Sequence, residues 1–262
     1  MTYWPSTSNR IMRTFCNLLL ASTASLFLLS ETATASCDDP PQPGVNWSRC
    51  TFAGADFKDA NLAKAVLVRA DFSRAVLDGA NLRNTDLSFI KLDHARLNAA
   101  HLESANLTGA NLTSAEFHET RMSRIRADRA QFNNAKLINA DLRNSSFYDA
   151  QFTEANLDGA SLSHGNFELA DFSSANLQRT DFSYARLTNA RLEQANLQGA
   201  SLVKAQLDRA ILIDANLRNV DLTGANLSEA DLTGADFTDA VLSNATWVDR
   251  RRCRLGSVGK CE

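Results

Sequence analysis

The sequence predicts an all-β solenoid, a chain that turns in one sense and stacks its turns on each other. Three observations predict it. From Trp47 to Trp247 every position ending in 2 or 7 is a large apolar residue, except Ala127. Positions ending in 0 or 5 are mostly small, usually Ala. About half of the residues just before the large position are Asn or Asp.

A five-residue beat suits no helix. A helix advances about 100° per residue, so apolar residues five apart would spiral around every side. In a strand, the small residue and the large one two places on point to the same side. The next inward residue comes three later, an odd step, so the chain must bend there. Each pentapeptide is therefore a very short strand followed by a corner. Corners that keep one sense give coils, which stack at about 4.8 Å. Such a stack is quasi-one-dimensional, each coil touching only its neighbours.

The block Ala225-Asn226-Leu227-Ser228-Glu229-Ala230-Asp231-Leu232-Thr233-Gly234-Ala235-Asp236-Phe237 shows the pattern plainly. Its motif, Ala-(Asp/Asn)-Leu-x-x, resembles the pentapeptide-repeat proteins. The resemblance covers residues 47–247 and implies a right-handed, four-sided parallel β-helix. Four beats per coil then give about ten coils and a length on the order of 50 Å. Phe132, Phe152 and Phe172 recur at a lag that fits four sides, as do Phe147 with Phe167 and Phe52 with Phe72.

One departure in the beat reads as packing repair. Ala127 stands where a large residue belongs, and Ile125 where a small one does. The swap roughly conserves volume, which cores tolerate best. Phe147, one coil away in the same column, can help fill the gap. The Asn and Asp residues, including the set Asn156, Asn176, Asn196 and Asn216, read as caps on nearby turn backbone.

Residues 1–35 lie outside the repeat. Arg10 and Arg13 precede an apolar, small-residue stretch from Thr14 to Ser30, then Ala33-Thr34-Ala35. This is the order of a cleaved secretory signal peptide. A membrane anchor is the rival reading. Against it, Asn17, Ser22, Thr23 and Ser25 interrupt the stretch, which is short for a span. Cys37 could also be the acylated residue of a lipoprotein, though Thr34 and Glu31 fit that pattern poorly. The expected compartment is the periplasm or the outside of the cell, or the thylakoid lumen in a cyanobacterium.

Cleavage removes Cys16 and leaves Cys37, Cys50, Cys253 and Cys261, an even count at the two ends. Export favours disulfides. A bond needs Cα atoms within about 7 Å, so opposite ends of a rod allow Cys37–Cys50 and Cys253–Cys261. A four-thiolate metal site is the alternative, but no pair has zinc-knuckle spacing and the ends cannot meet. Pro40, Pro41 and Pro43 precede the first beats, and proline cannot extend a ladder. Residues 36–46 and 248–262 are thus expected caps, with Trp47 and Trp247 as lids over edges that would otherwise pair with other chains.

Charge sets limits on function. The chain has 27 basic and 30 acidic residues; without Arg10, Arg13 and Glu31 the balance is 25 against 29. A net of −4 gives no global drive toward nucleic acid or membrane. His94, His101, His118 and His164 cannot gather three to a metal or a charge relay in a four-sided stack. No phosphate loop, dinucleotide glycine pattern or nucleophile elbow occurs. No catalytic residue, cofactor or metal is expected.

Binding is the better expectation, since repeat rods present regular faces. Arg121, Arg124, Arg126 and Arg129 crowd one coil. Lys64, Arg83 and Arg143 share their mildly basic face, partly neutralised by Asp128 and Asp141. Arg250, Arg251, Arg252 and Arg254 form a second basic group in the terminal loop. Arginine forks suit an anionic partner. Val66 with Val68, Phe89, and Ile211 with Ile213 are among the outward apolar residues, and the last pair is a weak candidate for a dimer contact. The family resemblance also implies a rival, gyrase protection by a rod that imitates DNA. Mild acidity and the arginines along the rod depart from that pattern. The expectation is a non-enzymatic exported structural or protein-binding module, monomeric or weakly dimeric. Its partner is a protein or an anionic envelope component, with no nucleic acid bound.

Overall fold

The computed structural model describes residues 36–262. The expected signal peptide, residues 1–35, lies outside the described residues, and Cys16 with it. From Asn46–Val66 to Asn226–Thr246, every parallel bridge joins a residue to the one twenty positions on. Twenty residues therefore make one coil, and four pentapeptides give it four sides. Each strand is a single bridged residue, ending in 1 or 6, set between two turns.

The backbone shows why five residues suffice. Leu62 N–H donates to Asn81 O at 2.8 Å and Lys64 N–H to Arg83 O at 2.8 Å, both in the next coil. Ala65 N–H closes the corner onto Leu62 O at 3.0 Å. The third turn residue is left-handed, as at Lys64 (φ 61°), which is what a type II turn demands. This holds at nearly every position ending in 4 or 9. From Gly44 to Asn244 none of these positions is Val, Ile or Thr. A branched Cβ is a severe misfit at positive φ, so the exclusion is a second sequence rule beneath the apolar beat.

The apolar rows fill the axis. Phe132, Phe152 and Phe172 stack face to face at 4.9 and 4.7 Å, and Phe147 stacks on Phe167 at 5.0 Å. The small row has large members too. Ile90 and Val220 are buried, and their turn bonds stretch to 3.2 and 3.3 Å, against 3.0 Å at Ala95.

The Ile125–Ala127 swap belongs to a longer repair. Ile125 N–H donates to Ser145 Oγ at 3.1 Å, and that hydroxyl donates to Met122 O at 3.1 Å. Ser145, one coil on, is spliced into the turn that Ile125 widens. In this column the small row reads Ile125, Ser145, Gly165 while the large row reads Ala127, Phe147, Phe167. Where the large position holds Ala the small one is Ile, and where it holds Phe the small one is Ser or Gly. A Cβ on Gly165 would sit 2.4 Å from Cε2 of Phe167.

Both disulfides are present, with Cα atoms 5.5 Å apart in Cys37–Cys50 and 4.8 Å in Cys253–Cys261. Trp47 is buried, its ring 4.5 Å from that of Phe52. At the far end the tail reverses and pairs antiparallel with the last coil, at Val241–Val258 and Thr246–Arg252. Leu242 N–H donates to Ser257 O at 2.9 Å, and Cys253 N–H to Ala245 O at 2.8 Å. The tail, more than Trp247, is therefore the lid. Trp247 remains part-exposed, edge-on to Phe237 at 5.5 Å. The tail covers two sides only, and Leu232 and Phe237 stay part-exposed on the other two.

Candidate binding surface

The polar rows are largely consumed by the fold. Asn156, Asn176, Asn196 and Asn216 each accept the N–H two residues on, at 3.1–3.3 Å. Asn176 donates its amide to Asn156 at 3.0 Å, and Asn216 to Asn196 at 2.9 Å. A second set reaches across coils: Asp78 accepts from Asn98 N–H and Asn98 from His118 N–H, both at 3.0 Å. These carboxylates and amides are turn caps.

The register spreads the histidines as expected: His101 and His164 lie three coils apart on one side, His94 and His118 on two others. Among the described residues no group of three or more His, Cys, Asp or Glu could hold a metal ion. His101 Nδ1 lies 2.8 Å from an Arg83 nitrogen, and Arg83 also meets Glu103 at 3.1 Å. Shallow grooves lie among the described residues. His94, Arg96, Ser114, Glu116, Asn134 and Lys136 line one of about 440 Å³. Gln178, Arg179, Gln198, Gly199 and Asn219 line one of about 300 Å³. Lys136 pairs with Glu116 at 3.0 Å inside the first.

The four clustered arginines form a band around one coil. Arg121 lies on one side, Arg124 at the corner, Arg126 on the next side and Arg129 at its far corner, and all four are exposed. Arg126 pairs with Asp128 at 3.0 Å. Burial pushes the Asp128 carboxyl up, but hydrogen bonds from Ser146, Arg126 and the Tyr148 N–H together hold it below the usual range. Arg143 grips Asp141 through two bonds of 2.8 Å, and that grip, helped by Arg121, lowers the Asp141 carboxyl. Arg124 and Arg129 make no ion pair among the described residues. In the terminal loop, Arg250 pairs with Glu229 and Arg251 with Asp249 at 3.4 Å. Arg252 and Arg254 are exposed without an ion pair there. One arginine of the band and two of the terminal loop are thus already held in ion pairs.

Two surface stacks were not legible in the sequence. His164 and Tyr184 lie parallel at 4.9 Å, with Lys204 Nζ 5.2 Å from the Tyr184 ring centre. Phe89, 52% exposed, carries the Arg69 guanidinium at 5.4 Å and packs over Gly109. Each joins residues twenty apart, so only the coil register reveals it. Ile211 and Ile213 are half-buried.

A four-sided stack of single-residue strands around a filled apolar axis defines a repeat solenoid. Family models described as "Pentapeptide repeat region" and "Pentapeptide repeats (8 copies)" match residues 125–202, and residues 43–67, 55–88, 90–126 and 210–246. The chain belongs to the pentapeptide repeat family. It is similar to the crystal structure of HetL, a pentapeptide repeat protein involved in heterocyst differentiation regulation in the cyanobacterium Nostoc sp. strain PCC 7120. There the identity is 29%, over 79% of this chain and 94% of that one, with a TM-score of 0.51. QnrB1, a plasmid-mediated fluoroquinolone resistance protein, matches at 19% identity over 64% of this chain and 90% of that one, TM-score 0.48. A pentapeptide repeat protein of the Arabidopsis thaliana thylakoid lumen matches at 31% over 45% and 68%, TM-score 0.32. No curated protein matches the chain.

Proposed function

We propose that the protein is a non-enzymatic, exported binding module, a right-handed solenoid of about ten coils that offers its outer surface to a protein partner. The observation behind this reading is that the axis is filled and the polar rows are spent on turns, which leaves only exposed columns to act. The start of the sequence and the two disulfides support export. Pull-down from the native compartment tests it, with oxidised residues 36–262 as bait and an excess of the same untagged chain as competitor. A partner captured and displaced is the expected result. Protein recovered from the cytoplasm with residues 1–35 uncleaved would sink the export half.

A second reading has its own observation. Arg124 and Arg129 are exposed and make no ion pair among the described residues, which suits an anionic envelope component held by the band Arg121, Arg124, Arg126 and Arg129. Reversing those four charges should abolish such binding and leave the circular dichroism spectrum unchanged; undiminished binding excludes the site. DNA imitation is the weaker rival, because the charge is mild and of both signs. Inhibition or protection of gyrase supercoiling by the folded chain would restore it.

A further inference from the structure

The coil register distributes charge unevenly around the axis. One corner is built from the column Lys64, Asn84, Ser104, Arg124, Asn144, His164, Tyr184, Lys204 and the two columns beside it. The crest column carries no acidic residue from Gly44 to Asn244. Its flanks add Arg83 and Arg143 on one side, Arg126 and Arg186 on the other, against Asp86 and Glu103. Seven cations thus face two carboxylates on this corner. The other three corners are all net negative, with six cations to eight acids, three to seven and four to eight. The next column toward the side's centre holds Arg121 but also Asp141, Asp181 and Asp221, which bounds the strip.

The crest cations are the freer ones. All four flank arginines are paired: Arg83 with Glu103 at 3.1 Å, Arg143 with Asp141 at 2.8 Å, Arg126 with Asp128 at 3.0 Å and Arg186 with Glu168 at 2.8 Å. Lys64 and Arg124 are exposed and make no ion pair among the described residues, and Lys204 rests over Tyr184. Lys64 to Lys204 spans seven coils, about 34 Å at roughly 4.8 Å per coil.

The shape selects the occupant. A straight basic line fits a linear polyanion lying parallel to the axis. Tyr184 has one ring face against His164 and the other under Lys204. Both ring faces are thus covered and the hydroxyl accepts from Lys204 Nζ at 3.4 Å, so the ring is no platform for a nucleobase. Tyr184 is the corner's one exposed large apolar residue among those described, so nothing here would insert into a lipid surface. The rest of the line is largely hydroxyl and amide, as at Asn84, Ser104, Asn144, Asn166 and Ser183. Cations at intervals among hydroxyls and amides match a chain of charged sugars.

We propose that this corner is a docking strip for a linear acidic polysaccharide laid along the solenoid axis. The proposal rests on the reading of the protein as a binding module. It moves the ligand from a band around one coil to a line across many.

The test titrates fluorescent oligogalacturonate into the oxidised full chain at several salt concentrations. Three comparisons are made: the parent, Lys64→Glu/Lys204→Glu, and Arg121→Glu/Arg129→Glu, each checked for native circular dichroism. Binding that weakens with salt, falls on the order of tenfold in the crest variant and holds in the off-crest variant supports the strip. Loss in the off-crest variant alone overturns the strip and leaves the arginine band. Binding of single-stranded DNA, polyglutamate or anionic vesicles, with no binding of oligogalacturonate, overturns the ligand class. If no polyanion binds, the strip and the anionic reading of the module both fall, and only a partner recognised by other surfaces remains.

Discussion

A Cβ added to Gly165 would lie 2.4 Å from Cε2 of Phe167 and 3.0 Å from the Leu162 carbonyl oxygen. Alanine, the commonest residue of that row, should therefore destabilise the protein by about 1–3 kcal/mol through overpacking. Phe167→Leu in the same chain should recover most of that loss. Paired denaturant melts read both, and additive effects would refute the contact. Ser104, at φ 61°, tests the left-handed corners. Ser104→Val should cost about 1–3 kcal/mol as backbone strain, whereas Ser123→Val, one place earlier in its turn, should stay within about 0.5 kcal/mol. Equal losses would mean that the corners tolerate branching and that the exclusion has another cause. Neither rule is visible in any one pentapeptide. The first needs the neighbouring coil, and the second needs the turn's φ.

At the scale of elements, the repeats and the caps do different work. A coil contributes a filled layer and a ring of backbone bonds to the coils on either side, so stability accumulates locally. The caps protect what a coil cannot, its outer edge. The tail closes two sides of the last coil through Leu242, Ala245 and Gly259, and Cys253–Cys261 holds it in place. Cys253→Ser/Cys261→Ser should lower stability by about 2–3 kcal/mol in the chain-entropy model. It should also bare edge strands and promote end-to-end association. A thermal melt and light scattering, with and without reductant, decide it; an unchanged melting temperature together with an unchanged mass would remove the capping role. The sequence marks this end by its cysteines and by Trp247. It does not show that the chain reverses and pairs antiparallel, because that depends on where the last coil leaves its open edge.

For the solenoid as a whole, acid is the telling perturbation. Hydrogen bonds from the Thr238 hydroxyl and N–H, then Arg218, hold the Asp236 carboxyl down to about 2. Ser73 lowers Asp71, Lys136 lowers Glu116, and Arg209 with Arg250 lowers Glu229. Each folded value lies below the unfolded one of about 4, so the unfolded chain takes up protons first as pH falls. The stability these groups supply is complete above about pH 4 and is lost as pH drops through the folded values toward 2. The melting temperature should stay level from pH 7 to 5 and decline below 4. A rise on acidification would reverse the sign of the argument. The same rows hold many of these carboxylates in turn caps.

The sequence by itself determined the inward and outward positions, the core, the corners and the cysteine-marked ends. Period five acts locally, on residues two and three apart. It also displayed the arginine band, whose members share nine residues of chain. The tertiary structure decided which polar side chains stand above one another. Lys64, Arg124, Tyr184 and Lys204 become a line only when the corner angle sets twenty residues to a coil. That angle comes from the left-handed turns and the packing of four apolar rows on one axis. A repeat of five does not state how many of its units close a turn. The basic corner is therefore a property of the coil register, and the local pattern, satisfied everywhere along the chain, carries no trace of it.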